Sequence, residues 1–162
     1  MLPEYKTILL AIDLSENSAF ALRHAVAIGR CHNAKVHLLH VLPDVEPAVL
    51  NYVATVMGEG RLADYELQHK EDIRDKVRVS VHQFAKSELL NNPEYLALID
   101  DIEVHHGNPA SVVLDVAERL DADLIVIGSH GKGRVSHAFL GSMAKRLLRK
   151  SVRPVLVIPL QD

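Results

Sequence analysis

The sequence predicts an α/β fold in which a single domain carries a doubly wound, open sheet of five parallel strands with helices on both faces. Short apolar runs alternate with segments whose apolar residues recur at helical spacing, which gives the order β-α-β-α-β-α-β-α-β. Right-handed crossovers through helices join parallel strands into such a sheet. With 162 residues and 48% apolar residues, the chain suits one hydrophobic core. We therefore expect one domain over residues 1–162.

The first half of the chain predicts two strands and two helices. The apolar run TILLAID (7–13) and the segment KVHLLHVLP (35–43) are typical of strands buried on both faces. Ser15 is a suitable N-cap for the helix between them. Residues 44–60 show no clear period and predict a connection with room for a short helical turn, whereas residues 61–90 have the period of one long amphipathic helix.

The second half repeats the alternation. NNPEY (91–95) ends the long helix, and DIEVHHG (101–107) predicts the third strand. Asn108 as N-cap and Pro109 at the first helical position predict the next helix. The run ADLIVIG and the segment RPVLVIP predict the last two strands, and the helix between them presents Leu140, Met143, Ala144 and Leu147 on one face.

Composition and charge exclude several classes of function. The formal net charge is -3 and only 4% of residues are aromatic, so we expect no nucleic-acid partner. The basic residues Lys145, Arg146, Arg149, Lys150 and Arg153 are interpreted as a solvated face of the last helix. A single cysteine, Cys31, forms no internal disulfide, which favours a cytoplasmic location. No run approaches the roughly 20 apolar residues of a bilayer span, so we expect no membrane insertion.

The segment GSHGKGRVSHAFLGS (128–142) is the strongest candidate for a binding site. In open α/β sheets ligands bind beyond the carboxyl ends of the strands, here marked by Asp13 and Gly128. Gly131 and Gly133 permit positive φ and a close approach of backbone to a ligand. Gly141 and Ser142 precede a helix whose first N–H groups favour an anion. The alternative is an ordinary strand-to-helix turn.

Two well-known phosphate-binding motifs do not fit this segment. GSHGKG has the glycine spacing of a P-loop, but Arg134 and Val135 stand where that motif needs lysine and a hydroxyl residue. GKGRVS begins like a dinucleotide fingerprint, but Ser136 replaces its third glycine, and it follows the fourth predicted strand instead of the first.

The spacing Gly128-x2-Gly131-x9-Gly141-Ser142, together with Asp13 at the end of the first strand, resembles the ATP-binding branch of the universal stress protein family. The similarity extends over nearly the whole chain, from KTILLAIDLSENSAFALRHA to SVRPVLVIP. It implies an adenine nucleotide alpha hydrolase-like fold with strand order 3-2-1-4-5. It also implies ATP as the ligand.

The resemblance assigns roles to individual residues. Asp13 lies beside the adenosine, Ala11 and Ile12 line the base pocket, and the backbone of Val41 contacts adenine. Ile127 and Gly128 lie near the ribose, Gly131 lies near the phosphates, and the helix start at Gly141, Ser142, Met143 and Ala144 holds the triphosphate. From their place in the loop, His130, Gly133 and Arg134 complete the predicted cofactor-binding set.

Three of these residues have other interpretations or depart from the pattern. Asp13 can instead cap the first helix, and Val41 can be a plain core residue. Relatives that bind ATP often carry a hydroxyl residue at the position of Ala144, which offers only its backbone N–H and so weakens the expected affinity.

We expect no zinc ion ligated by the protein. No pair among the ten histidines and the single cysteine has the His-x3-His or Cys-x2-Cys spacing of zinc ligands, and His105 and His106 face opposite sides of a strand. Mg²⁺ or Mn²⁺ held by the ATP phosphates is the expected metal.

Three functions follow from these expectations. The first is an ATP-binding regulatory or stress-response homodimer with at most slow hydrolysis, and the second is a partner-dependent ATPase, although no P-loop lysine or arginine finger can be named. The third is a dimeric interaction module that works without nucleotide. The resemblance places the dimer contact at the last strand, through Val155, Leu156, Val157 and Ile158, because an apolar edge strand needs a cover.

Overall fold

The predicted sheet is confirmed in the computed structural model, which describes residues 1–44, 47–130 and 140–159. Five parallel strands form one sheet in the order β3-β2-β1-β4-β5. The strands are β1 (Thr7–Ile12), β2 (Lys35–Leu42), β3 (Ile99–His106), β4 (Leu124–Gly128) and β5 (Val155–Ile158). The direction of the crossovers changes between β1 and β4, so the carboxyl ends of these two central strands flank the crevice where such sheets bind ligands.

Within the described residues, five α-helices accompany the strands. They are α1 (Glu16–His32), α2 (Pro47–Met57), α3 (Glu59–Glu88), α4 (Pro109–Arg119) and α5 (Ser142–Lys150). A 3-10 helix, Pro93–Leu98, precedes β3. Ser15 caps α1 by accepting a hydrogen bond from the Ser18 N–H, and Asn108 caps α4 by accepting one from the Ser111 N–H. Both predicted N-caps are therefore confirmed.

Two apolar layers lie on opposite faces of the sheet. On one face, β-strand residues such as Ile8 and Leu38 pack with Leu22 of α1 and Val81 of α3. On the other face, strand residues such as Leu9 and Ile125 pack with α4 and α5, represented by Val113 and Leu147. Alternating side chains of a strand buried on both faces serve both layers, which explains why β1 and β4 appear in the sequence as continuous apolar runs.

The predicted connection over residues 44–60 is wrong, because the structure contains the 11-residue helix α2 there. The reason is that its sequence, PAVLNYVATVM, is apolar almost throughout and has too few polar residues to mark a solvent face. Among its described side chains, those of Val49, Tyr52 and Val56 are 51%, 72% and 68% exposed. The long helix predicted over residues 61–90 is confirmed as α3.

Arg153 also differs from its prediction as part of a solvated helix face. The helix α5 ends at Lys150, and the Arg153 guanidinium donates hydrogen bonds to the Ala122 carbonyl oxygen at 2.7 Å and to Asp121 Oδ1 at 3.0 Å. Its side chain is 24% exposed. Arg153 therefore ties the start of β5 to the connection between α4 and β4.

Among the helices in the described part of the chain, none combines the length and the apolar character that crossing a bilayer requires.

Candidate functional site

A cleft of about 220 Å³ opens at the carboxyl ends of β1, β2 and β4, where the fold predicts a ligand. Its lining comes from these strand ends, from the start of α4 and from the start of α5. The lining residues are Ala11, Ile12, Asp13, Ser18, Leu39, Val41, Pro109, Val113, Gly128, Ser129, His130, Gly141, Ser142, Met143 and Ala144. Segments far apart in the sequence thus meet at one edge of the sheet.

The turn after β1 places Asp13 at the floor of this cleft. Asp13 Oδ1 accepts hydrogen bonds from the Ser15 N–H at 3.0 Å, from the Ser15 hydroxyl and from the Ser18 hydroxyl at 2.7 Å. Ser18 Oγ in turn accepts from the Asp13 N–H at 2.8 Å. Leu14 adopts a left-handed conformation with φ 65°, a strained backbone that packing must hold in place. The carboxylate is therefore fixed in direction, and hydroxyl donors offset part of its charge.

The end of β4 lies against α1 through Gly128 and Asn17. A Cβ atom on Gly128 would come within 2.2 Å of Asn17 Nδ2, so the close approach requires glycine. Asn17 is 5% exposed, and its Nδ2 donates a hydrogen bond to the His130 carbonyl oxygen at 2.8 Å. Asn17 therefore connects the first turn of α1 to the chain that leaves β4.

The start of α5 forms the opposite wall. Gly141 is its N-cap and provides no capping side chain, and the Gly141 N–H donates to the Ser129 carbonyl oxygen at 2.8 Å. A Cβ atom on Gly141 would lie 3.0 Å from that oxygen, so this contact also favours glycine. The first-turn N–H groups of Ser142 and Met143 have no intrahelical acceptors, and the helix dipole adds partial positive charge there. This wall suits an anion.

The remaining wall is apolar. Leu39 and Val113 are fully buried, and Val41 and Pro109 are partly exposed at the cleft. His40 is buried on the opposite face of β2, and its Nδ1 lies 2.8 Å from the Ile12 carbonyl oxygen, so it donates to that oxygen and fixes the end of β1. A flat apolar group such as a nucleobase would remove this wall from water, while a polar end of the same ligand faces α5.

The sequence of residues 4–159 matches a protein family described as the Universal stress protein family. The chain belongs to this family. Universal stress protein A of Escherichia coli strain K12 is 33% identical over 158 residues, covering 98% of this chain and 96% of that protein. Universal stress protein MJ0577 of Methanocaldococcus jannaschii is 30% identical over 158 residues, covering 95% of this chain and 94% of that protein. The solved structure of MJ0577 has a TM-score of 0.70 at 27% identity and covers 98% of each chain.

This universal stress protein brings most of its predicted site residues to the cleft. Ten of the predicted residues line it, namely Ala11, Ile12, Asp13, Val41, Gly128, His130, Gly141, Ser142, Met143 and Ala144. Ile127 does not line it and is fully buried in the apolar layer beneath α4 and α5. Gly131, Gly133 and Arg134 lie outside the described residues. The predicted ligand contacts of all these residues stay predictions.

Three of the lining residues have a structural role as well. Asp13 caps the start of α1 through its bonds to Ser15 and Ser18, so the alternative interpretation as a capping residue describes part of its role. Ala144 is 2% exposed and packs in the apolar layer, where a hydroxyl would need a hydrogen-bond partner. Val41 is partly buried and also packs against that layer.

Sequence reasoning missed five lining residues of this universal stress protein: Ser18, Leu39, Pro109, Val113 and Ser129. Ser18 and Ser129 had a signal, because each is a hydroxyl residue within five positions of a predicted strand end. Pro109 was identified only as a helix start. Leu39 and Val113 are core residues whose position beside the cleft depends on the tertiary packing of β2 against α4, which no local pattern reveals.

Proposed function

We propose that this chain is an ATP-binding regulatory homodimer of the cytoplasm, with at most slow hydrolysis. The observation that carries the proposal is the pairing of an apolar wall with an uncapped helix start across one cleft. The apolar residues Leu39 and Val41 suit adenine, Asp13 suits a hydroxyl donor of the ribose, and the first turn of α5 suits the phosphates. Adenine, ribose and phosphates occur in this order in ATP.

The phosphate charge is balanced by backbone dipoles and a metal ion in this proposal. The helix α5 has nine residues and begins at Ser142 without a side-chain cap, so its N-terminal amides can bind phosphate oxygens. A Mg²⁺ or Mn²⁺ ion carried by the phosphates would neutralise further charge. Among the described lining residues, no lysine or arginine is present to stabilise a transferring phosphoryl group. The departure from the P-loop motif, with Arg134 and Val135 at its lysine and hydroxyl positions, favours binding over efficient hydrolysis.

The dimer proposal is supported by the edge strand β5. Within the described residues β5 pairs with β4 alone, and its four residues Val155, Leu156, Val157 and Ile158 are all apolar. An apolar edge with unpaired backbone groups favours pairing with a second copy about a two-fold axis. We place the homodimer contact there, and regulation would act through a partner that recognises the nucleotide-bound dimer.

The first experiment is to purify the chain without added nucleotide, denature it and identify released nucleotides by anion exchange with mass detection. Stoichiometric ATP supports a tight binding protein with little turnover. Mostly ADP requires a timed assay with fresh ATP, and turnover that begins only with a protein partner would favour a partner-dependent ATPase. No nucleotide, followed by no binding of millimolar ATP with Mg²⁺ or Mn²⁺, would favour the nucleotide-independent interaction module.

A matched pair of glycine variants tests the site itself. Gly141→Val places side-chain atoms against the Ser129 carbonyl, whereas Gly60→Val introduces the same side chain in α3, where a Cβ meets nothing within 4 Å. Because the chain has no tryptophan, a fluorescent ATP analogue can be followed without indole background. We expect Gly141→Val to weaken ATP binding about ten-fold or more, equivalent to about 1.4 kcal/mol, and Gly60→Val to leave it unchanged. Equal affinities in folded proteins would show that the site is wrongly assigned.

A further inference from the structure

A second group of polar side chains lies on the sheet face that α4 covers, at the β2–β3 pair. His37 of β2 pairs in register with Asp101 of β3, and Glu103 follows two residues later on the same side of β3. His37 precedes Val41 of the cleft by four residues, roughly 13 Å along an extended strand. We call His37, Asp101 and Glu103 the β2–β3 triad. None of the three residues lines the cleft at the carboxyl ends of β1, β2 and β4.

The spacing within the triad matches that of ligands around one metal ion. His37 Nε2 lies 3.2 Å from Glu103 Oε1 and 3.7 Å from Asp101 Oδ2. One nitrogen or oxygen atom from each of the three residues lies within 4.8 Å of the other two. Metal–ligand bonds of 2.0–2.2 Å in a tetrahedral site separate the ligand atoms by roughly 3.3–3.6 Å. Only small side-chain movements are needed to surround an ion.

The histidine and the glutamate of the triad are held in place by their surroundings. The side chains of His37 and Glu103 are 9% and 16% exposed. Arg119 of α4 donates to both oxygens of Glu103, and His105 Nε2 lies 2.7 Å from Glu103 Oε2. Burial raises the pKa of Glu103, but the hydrogen bonds from Arg119 and His105 outweigh it and lower the pKa to about 2. The carboxylate is thus charged and fixed in orientation.

The other ring nitrogen of His37 faces a separate carboxylate. His37 Nδ1 lies 3.9 Å from Asp100 Oδ2, so the ring stands between Asp100 on one side and the remaining triad residues on the other. Without a metal ion, the Nε2–H of His37 donates a hydrogen bond to Glu103 Oε1 at 3.2 Å. An ion bound at Nε2 would replace this proton, and Asp100 beside Nδ1 would stabilise a proton on the other nitrogen. His37 Nε2 is the nitrogen directed at Asp101 and Glu103.

The local charge favours a cation. The carboxylates of Asp100, Asp101 and Glu103 face two guanidinium groups, those of Arg78 and Arg119. With neutral histidines the group carries one net negative charge. One imidazole with two carboxylates is a ligand set of the zinc class, whereas Mg²⁺ and Ca²⁺ prefer oxygen ligands alone.

We propose that the β2–β3 triad binds one divalent transition-metal ion of the zinc class, with water as the fourth ligand. The ion would join the edge strand β3 to β2 through side chains and so add to the stability of the sheet edge. The sequence indicated no zinc site because the ligands come from two strands more than 60 residues apart. The proposal does not depend on nucleotide binding.

The test uses the full chain with any affinity tag removed, after treatment with EDTA and removal of nucleotide. Zn²⁺ is titrated in competition with a chromophoric chelator, and X-ray absorption identifies the ligands. We expect one Zn²⁺ per chain, with one imidazole nitrogen bound and oxygen atoms completing the site. We also expect Zn²⁺ to raise the melting temperature, because a ligand that binds only the folded state stabilises it.

Matched variants connect the signal to the triad. Asp101→Asn and His37→Gln should each weaken Zn²⁺ binding about ten-fold or more. Asp115→Asn and His24→Gln make the same chemical changes at exposed positions of α4 and α1 and should have no effect. Asp101 is 45% exposed, so its variant should fold even if His37→Gln does not.

Two outcomes would overturn the proposal. One is wild-type binding below half an ion per chain, or a site with two or more imidazoles, which would show capture by other histidines. The other is unchanged Zn²⁺ affinity in folded Asp101→Asn. Neither result bears on ATP, so failure of this proposal and failure of the nucleotide proposal can be distinguished.

Discussion

The two edge strands of the sheet, β3 and β5, carry opposite kinds of side chain beside their unpaired backbone groups. β3 has the sequence IDDIEVHH, in which Asp100, Asp101 and Glu103 bring charge to the edge. β5 has the sequence VLVI, with no polar side chain. Charged residues on an edge discourage pairing with another chain, whereas an apolar edge invites it. One sheet can therefore keep one edge solvated and offer the other to a partner.

An arginine anchors each edge strand to the rest of the domain. Arg119 of α4 binds Glu103 on β3. Arg153, just before β5, binds the Ala122 carbonyl oxygen and Asp121, which precede β4. Bidentate and forked contacts of this kind fix geometry more strongly than lysine can. The edges thus differ in surface chemistry but share a means of attachment, which separates predictions about association from predictions about stability.

The largest effect is expected at the apolar edge. Val157→Lys would place a cation at the proposed two-fold contact, opposite its own copy. An unpaired buried charge costs about 3–5 kcal/mol, so we expect the dimer dissociation constant to rise about 100-fold or more. Sedimentation equilibrium measures this constant. Lys145→Ala, on the exposed side of α5, is the control, and an unchanged dimer in Val157→Lys would contradict the β5 contact.

The charged edge can be converted into an apolar one. Asp100→Val combined with Asp101→Val removes two of the acidic side chains from β3, and we expect oligomers larger than the dimer to appear as protein concentration rises. Light scattering at several concentrations detects them. Asp115→Val combined with Glu118→Val alters charge on α4 without changing an edge strand. If the β3 variant has the same molar mass as wild type at every concentration, charge does not prevent association at this edge.

Loss of the β5 anchor should destabilise the fold. Arg153→Ala removes the donor to the Ala122 carbonyl, which belongs to a fully buried residue. A buried acceptor without a partner costs about 1–3 kcal/mol, and we expect that loss in the free energy of unfolding measured with urea. Arg149→Ala, an exposed arginine of α5, should change it by less than about 0.5 kcal/mol. Equal values for both variants would show that the contacts of Arg153 add no more stability than an exposed arginine does.

Features that depend on residues close together in the sequence, such as strands and helix starts, could be predicted from the sequence. Apolar runs predicted four of the five strands, and the alternation in DIEVHHG predicted β3. The residues Ser15 and Asn108 predicted two helix starts, because capping depends on neighbours only a few positions away. The carboxyl-edge cleft followed from the fold class together with Asp13 and Gly128. Helix α2 was missed because its sequence is apolar almost throughout and shows no clear amphipathic period.

Contacts between distant segments were beyond that reasoning. Gly128 was identified from its place at the carboxyl end of the fourth strand, but the structural reason for glycine is Asn17, 111 positions earlier, whose amide occupies the space of a Cβ atom. The β2–β3 triad likewise depends on the register that pairs His37 with Asp101. Strand order restricts which segments meet, but register and side-chain direction decide which atoms touch.

The smallest effect is expected from pH at the charged edge. The pKa of Glu103 lies at about 2 instead of 4.5, mainly through the Arg119 and His105 hydrogen bonds that outweigh burial. A carboxyl group with a lowered folded-state pKa adds stability that is complete above pH 4.5 and is lost as pH falls toward 2. At pH 7 the free energy of unfolding of wild type should exceed that of Glu103→Gln by about 1–2 kcal/mol. The difference is modest because Arg119 and His105 are half exposed, and solvent partly screens their interaction with Glu103.

Urea unfolding of both proteins in EDTA, from pH 7 down to pH 3, measures this difference without any metal contribution. Glu118→Gln on the exposed surface of α4 provides the control, and its difference from wild type should stay near zero throughout. The Glu103 difference should begin to narrow below pH 4.5. A difference that stays constant over this range would mean that Glu103 stabilises the edge through packing and neutral hydrogen bonds, and that its charge does not hold Arg119 to β3.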